Sequence, residues 1–113
     1  MQNRLHWLTE DNWIQGRSCV NKSGDDVRLD SQLAEKFDLS AAIKVSYGSD
    51  EDISEAISKI KTAFKLLDAP TYAKLKEEHY YKSKGKLVFC CPLYAINDAL
   101  DNFSEVKKLL FYL

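Results

Sequence analysis

Residues 53–67 read ISEAISKIKTAFKLL and carry the clearest structural pattern of the chain. Apolar side chains recur at steps of four, three, four and three residues, which places them on one face of an α-helix. They are Ile53, Ile57, Ile60, Phe64 and Leu67. Polar residues fill the opposite face, namely Glu55, Ser58, Lys59, Lys61 and Lys65. The pattern therefore predicts an amphipathic helix that packs its apolar face on a core.

The residues on either side of this segment agree with a helix. Acidic residues precede it at positions 50–52, and lysines follow, which is the order of charge that the helix dipole favours. Asp68, Ala69 and Pro70 then end it, because the residue before a proline disfavours helical backbone. We expect the other helices to pack around this one.

Capping residues and apolar spacing predict three further helices with defined starts. A second helix begins at Asp30 or Ser31, carries Leu33, Ala34, Phe37, Ala41 and Ala42, and breaks near residues 38–40, where Ser40 caps a fresh turn. Another begins at Thr71 and turns Tyr72, Leu75 and His79 inward. The last begins at Ser104 and runs to Leu113.

Three segments carry weaker patterns. A short first helix is predicted to end near Gly16, a residue that tolerates the left-handed turn after a helix. Residues 18–29 fit a closed loop or a small β-hairpin. Residues 87–91 fit a buried strand or the start of a helix, and Pro92 favours the helix. The prediction is a mainly α, single domain over residues 1–113, with about five helices and room for one hairpin.

Composition restricts the class of protein. The chain has 113 residues, of which 45% are hydrophobic and 29% charged, so we expect it to fold. A net charge of -1 provides no overall field for nucleic acid or a membrane surface. Residues 1–13 lack the apolar region of a signal peptide, and residues 87–96 are too short to span a bilayer. The expected location is the cytoplasm.

The cysteines and histidines give no recognisable chemical motif. Cys19, Cys90 and Cys91 include an adjacent pair, which disulfide geometry disfavours, and their spacing matches no zinc pattern. Cys90 or Cys91 would serve as a nucleophile with His79 as its base. Apolar neighbours, however, raise the pKa of a thiol and make it unreactive. We therefore predict no catalytic residue, no metal ligand and no cofactor, with the cysteines acting as small apolar side chains.

One basic cluster, Lys82, Lys84 and Lys86 after Tyr80 and Tyr81, is compatible with nucleic-acid binding. Three lysines supply few phosphate contacts, so a solvated turn is the preferred interpretation.

Several short motifs occur in a fixed order along the chain. They are Trp13-Ile14-Gln15-Gly16, the segment AEKFDLSAAI at residues 34–43, Ile96-Asn97-Asp98 and the segment EVKKLL at residues 105–110. In order and spacing they resemble a domain-of-unknown-function family of small bacterial and phage proteins. Asp38, Ala41 and Ile96 stand where that family usually has cysteine, glycine and tryptophan. The resemblance implies a mainly helical architecture and no particular activity.

The matched polar residues Gln15, Asn97 and Asp98, beside Trp13, have two interpretations. Asn97 and Asp98 would satisfy free backbone amides at a helix junction, which is the preferred one. Alternatively, all four residues line a binding pocket. The expected function is a non-catalytic binding or regulatory protein that contacts a protein partner and is encoded on a phage or mobile element. The alternatives are a small-molecule-binding domain or enzyme using this pocket, and a nucleic-acid-associated protein.

Overall fold

The computed structural model describes residues 4–82 and 93–113, and its side chains are described up to residue 78 and again from residue 93. Within these ranges the chain forms two strands and five α-helices. They are β1 (Cys19–Asn21), β2 (Ala34–Phe37), α1 (Leu39–Ser46), α2 (Asp50–Leu67), α3 (Ala69–Lys82), α4 (Leu93–Ala99) and α5 (Phe103–Leu110). The mainly α class with one small antiparallel sheet is confirmed.

Helix α2 lies at the centre and contacts each of the other four helices. Ser49 caps it, because its Oγ accepts the Asp52 backbone N–H at 3.1 Å. Its buried residues are Ala56, Ile60, Ala63 and Phe64, and Ile53 and Ile57 are partly buried against the same core. The predicted amphipathic helix is thus confirmed over most of its length.

Leu67 is the exception on the predicted apolar face of α2. Its side chain is 48% exposed, so the prediction that it packs in the core is wrong. Grooves lie on both sides of it, one shared with Leu100 and Leu109 and the other with Phe111. Helix α5 therefore flanks the last turn of α2 without covering it.

The predicted second helix begins later than its sequence indicates. Residues 34–37 form β2, which pairs antiparallel with β1 through Cys19 opposite Phe37 and Val20 opposite Lys36. Helix α1 starts only at Leu39, because the Asp38 carboxylate accepts the Ala41 N–H at 2.7 Å and acts as the cap. The predicted caps at Asp30, Ser31 and Ser40 are wrong.

The hairpin expected at residues 18–29 is present in a wider form. Its first strand is β1, but the partner is β2, and residues 22–33 form the connection. Two residues of β1 contact that connection: Val20 makes an isolated bridge with Asp26, and Asn21 Oδ1 accepts the Ser23 and Asp25 N–H groups. These local bonds close the turn that the sequence indicated.

The segment before β1 is not an α-helix. It contains one 3₁₀ turn at Glu10–Asn12, in which Thr9 donates its N–H to Asn12 Oδ1 at 2.6 Å. Leu5 and Leu8 are nevertheless buried. Gly16 has a φ of 79°, the left-handed conformation predicted for it, although it follows extended chain.

The remaining helices follow the predicted order with shifted starts. Helix α3 begins at Ala69, and Asp68 Oδ1 accepts the Thr71 N–H at 3.3 Å. Helix α5 is capped by Asn102 instead of Ser104. The described residues of α5 bury an apolar face made of Phe103, Val106, Leu109 and Leu110. Tyr72 and Leu75 of α3 are partly buried as predicted.

Some predictions fall outside what the structure describes. They concern the segment at residues 87–91 with Pro92, the thiols of Cys90 and Cys91, and the side chain of His79. Cys19 is described and buried, as expected of a cysteine that acts as a small apolar residue. None of the helices in the described ranges has the length and apolar character needed to cross a bilayer.

Candidate functional site

The structure brings together the four residues that the sequence singled out. The extended segment that contains Trp13 and Gln15 lies beside β2, where Ile14 donates its N–H to the Phe37 carbonyl at 3.0 Å. From there the Trp13 side chain reaches Asn97 and the Gly16 backbone N–H reaches Asp98, both in α4 and more than 80 residues further along the chain. We call this set of Trp13, Gln15, Asn97 and Asp98 the Asn97 junction.

Asn97 is fully buried at the centre of the junction. Its Oδ1 accepts two hydrogen bonds, from Trp13 Nε1 at 2.7 Å and from the Leu39 backbone N–H at 3.1 Å. Its Nδ2 donates to the Ile14 carbonyl at 3.0 Å and to Asp98 Oδ1 at 3.4 Å. Leu39 is the first residue of α1, whose N–H has no partner within its own helix. One amide side chain therefore joins three parts of the chain.

Gln15 and Asp98 complete the junction at its exposed side. Gln15 Nε2 donates to the Asn97 carbonyl at 2.8 Å and to the Leu100 carbonyl at 2.7 Å. These carbonyls lie at the carboxyl end of α4, where backbone acceptors lack helical partners. Asp98 Oδ1 accepts the Gly16 N–H at 2.7 Å. Both side chains thus bond backbone groups that neither helix nor sheet can satisfy.

The contacts of Asn97 limit what the junction can do chemically. A side-chain amide has an oxygen with two acceptor positions and a nitrogen with two donors. All four are used within the protein, so Asn97 has no polar group left for a ligand. This matches the preferred interpretation, in which Asn97 and Asp98 satisfy backbone amides. The binding role of the four residues stays a prediction.

Two buried ionisable groups lie next to the junction. Burial raises the pKa of Asp38, the cap of α1, and the nearby Asp98 carboxylate raises it further, against the Ala41 N–H and Lys44, which lower it. Burial also raises the pKa of the Cys19 thiol, with a smaller contribution from Asp38. Cys19 is therefore held as a neutral thiol, which is a poor nucleophile.

Three other kinds of site, for a metal ion, for nucleic acid and for cysteine catalysis, were considered from the sequence. No group of three or more His, Cys, Asp or Glu residues placed to hold a metal ion occurs among the described residues. The lysines of the basic cluster and the His79 and cysteine pair have side chains outside the described set. The structure therefore neither assembles nor separates them.

A second candidate site lies at the carboxyl ends of α2 and α5. Four large apolar side chains point into solvent there: Leu66 is 72% exposed, Leu67 48%, Phe111 86% and Tyr112 45%. The rings of Phe111 and Tyr112 meet edge to face, with their centroids 6.0 Å apart. We call these four residues the leucine–aromatic patch.

Two grooves cross the patch, and Tyr112 lines both of them. The first, about 280 Å³, runs along α2 and has Ala63 and Leu66 in its wall. The second, about 350 Å³, lies between Leu67, Phe111 and Tyr112. Both grooves are shallow and open to solvent, so they are accessible to side chains of another molecule.

Charged residues of both signs lie around the patch, and the second groove is lined by cations alone. Lys107 and Lys108 line the second groove together with the three apolar residues. In the first groove Lys59 pairs with Glu55, with Nζ and Oε1 3.5 Å apart. Neither Lys107 nor Lys108 forms an ion pair with any residue that the structure describes.

Sequence reasoning did not find this patch. The spacing of α2 predicts that Leu67 lies in the core, and no sequence pattern predicts a function for Phe111 or Tyr112. The available signal was position: Leu66, Phe111 and Tyr112 lie off the apolar faces of α2 and α5, which are defined by Ile60 with Phe64 and by Val106 with Leu109. Large apolar residues that lie off the core face of a helix indicate an exposed apolar surface.

Comparison with family models, curated proteins and solved structures found no match to this chain.

Proposed function

We propose that this protein is a non-catalytic binding protein that holds a protein partner on the leucine–aromatic patch. The observation that carries the proposal is the exposure of Phe111, whose ring stands almost entirely in solvent beside Leu67 and Tyr112. Contiguous apolar surface of this kind is uncommon on monomers and is typical of interaction sites.

The composition of the patch supports a protein partner. Aromatic residues are enriched in the centres of protein interfaces, where a rigid ring buries a large area at a small cost in side-chain entropy. Phe111 and Tyr112 supply two such rings, and the grooves beside them can accept apolar side chains. A polar rim of lysines surrounds this centre, as in many interfaces.

In this proposal the Asn97 junction serves the scaffold. Its saturated hydrogen bonds fix α1, α4 and the Trp13 segment, and α1 and α4 both contact α2. The junction thereby holds the helix that presents Leu66 and Leu67. That the gene is carried on a phage or mobile element is a further part of the proposal, supported only by the resemblance of motifs such as Trp13–Gly16.

The experiment replaces Phe111 with a photo-cross-linking amino acid and irradiates the protein in a lysate of the cell that carries its gene. Covalent adducts are identified by mass spectrometry, and each identified protein is then purified and mixed with the chain. The matched control places the same amino acid at Leu33, which is 67% exposed but lies in the connection between β1 and β2.

We expect a discrete adduct at position 111 that is absent at position 33. The doubly substituted protein Leu66→Ser, Leu67→Ser should lose the adduct and should not bind the purified partner. Identical adducts at both positions, or a partner that binds the doubly substituted protein equally well, would refute the proposed function.

A further inference from the structure

We propose, resting on the proposed function, that the partner presents an acidic segment in which apolar side chains alternate with carboxylates. The argument depends on the second groove, whose lining consists of Leu67, Phe111 and Tyr112 together with Lys107 and Lys108. It contains three apolar residues, two cations and no carboxylate.

The two lysines are available to a partner. They occupy the last turn of α5, where cations favour the negative end of the helix dipole. That interaction explains why lysine is tolerated there, but it leaves both ammonium groups unpaired among the described residues and in solvent. A carboxylate next to an apolar side chain in the groove would pair with them directly.

The two parts of the groove have different roles in recognition. Burial of leucine and aromatic surface supplies most of the affinity. Exposed ion pairs contribute little affinity but select between partners and accelerate encounter. The lysines therefore determine which apolar segment binds, because they repel a basic segment.

Of the acidic residues of α2, Glu55 alone lines a groove of the patch, and it is paired with Lys59. Asp50, Glu51 and Asp52 occupy its first turn, and the patch lies at its other end. With 18 residues at about 1.5 Å each, the helix separates the two ends by about 27 Å, beyond the range of charge interactions at physiological salt. The second groove itself is lined by two cations and no carboxylate, whereas Asp68 and Glu105 line the groove on the other side of Leu67.

A segment of protein fits these features better than an anionic membrane. The grooves are shallow depressions between side chains of the protein, whereas lipid binding requires only a projecting apolar surface.

The test selects a displayed library of random peptides against three forms of the full chain: the unaltered protein, Phe111→Ser, and the double variant Lys107→Glu, Lys108→Glu. Sequencing compares the selected peptides with the input library. The affinities of representative peptides are then measured by fluorescence anisotropy at low and high salt.

For the unaltered protein we expect enrichment of peptides that combine aspartate or glutamate with leucine or aromatic residues. Their affinity should fall about tenfold when salt rises from about 50 mM to about 500 mM, since exposed charge pairs are screened. The double lysine variant should instead select basic peptides with the same apolar residues. Phe111→Ser should abolish enrichment of both kinds.

The outcomes separate the two proposals. Peptides that depend on Phe111 but show no acidic enrichment would refute the acidic partner and leave the proposed function intact. No peptide that depends on Phe111, together with no adduct at position 111, would refute both.

Three further measurements can overturn the acidic partner. Binding to phosphatidylserine vesicles that is lost in Phe111→Ser would indicate a membrane surface instead. Concentration-dependent dimers in sedimentation, abolished by the same substitution, would assign the patch to a second copy of the chain. A fall in the urea midpoint of Leu66→Ser as large as that of a core substitution would mean that the chain itself covers the patch.

Discussion

Trp13 donates its indole N–H to Asn97 Oδ1 at 2.7 Å, across 84 positions of sequence. The same oxygen accepts the N–H of Leu39, so a single atom connects the N-terminal segment, the start of α1 and α4. Because Asn97 is fully buried, water cannot replace these bonds when they are lost. The junction is therefore a point where one substitution affects three elements.

Replacement of Asn97 by alanine should destabilise the protein strongly. It would leave the Leu39 N–H, the Trp13 Nε1–H and the Ile14 carbonyl without their partner, and each buried unsatisfied group costs about 1–3 kcal/mol. We expect a loss of about 3 kcal/mol or more in the free energy of unfolding, measured by urea melts. Asp98→Ala, at an exposed position with one backbone partner, should cost about 1 kcal/mol. Equal midpoints for Asn97→Ala and the unaltered protein would show that the junction is not structural.

Replacement of Gln15 by alanine tests the carboxyl end of α4. The side chain supplies hydrogen bonds to the Asn97 and Leu100 carbonyls, and an exposed pair of this kind contributes about 1 kcal/mol. The matched control is Gln32→Ala in the exposed connection between the strands, which should leave the urea midpoint unchanged. The same shift in both variants would contradict the capping role of Gln15.

Asp38 should make stability depend on pH in an unusual direction. Because burial raises the pKa of Asp38 in the folded protein above its ordinary value, the stability it contributes is fully present below the unfolded pKa. That contribution is lost as pH rises through the folded pKa. Asp38→Asn keeps an oxygen that can accept the Ala41 N–H and needs no buried charge, so it should become more stable relative to the unaltered protein as pH increases.

The measurement compares urea midpoints of the unaltered protein and Asp38→Asn from about pH 4 to about pH 7, a window above the unperturbed carboxyl pKa. Titration of other groups cancels in the difference between the two proteins. Asp25→Asn, at an exposed turn position, serves as the control and should show no such trend. A difference that moves in the opposite direction would mean that Asp38 is stabilised as a carboxylate.

Truncations in α2 should separate the two sides of its apolar face. Ile60 is fully buried, so Ile60→Ala should cost about 2–5 kcal/mol through lost burial and a cavity. Ile57 is only partly buried at the edge of the core, so Ile57→Ala should cost less than half as much. Urea melts of the two variants provide the check, and equal losses would show that the whole face is equally packed.

Local signals predicted most of the helical architecture. The spacing of Ile53, Ile57, Ile60 and Phe64 identified α2, and the acidic residues at positions 50–52, expected before the helix, form its first turn. The predicted break at Asp38–Ser40 coincides with the start of α1, but the cap is Asp38 and not Ser40. Such signals succeed because helix formation depends on residues three or four positions apart.

The pairing of β2 with β1 was beyond these signals. The apolar spacing of residues 34–37 predicts a helix that starts at Asp30. In the folded protein the same residues pair with Cys19 and Val20. Tertiary pairing outweighs helix propensity here, since propensity differences amount to only a few tenths of a kcal/mol per residue.

For the candidate sites, too, the sequence predicted one part and the tertiary structure decided the other. Sequence motifs predicted that Trp13, Gln15, Asn97 and Asp98 belong together, and in the folded protein they are joined by hydrogen bonds. The sequence also indicated the mainly helical class and the central helix. Only the tertiary structure decided that Asn97 uses every polar atom internally and that Leu67 stays in solvent beside Phe111. The physical reason is distance along the chain: a helix is encoded by neighbouring residues, whereas burial and hydrogen-bond saturation depend on segments that meet only after folding.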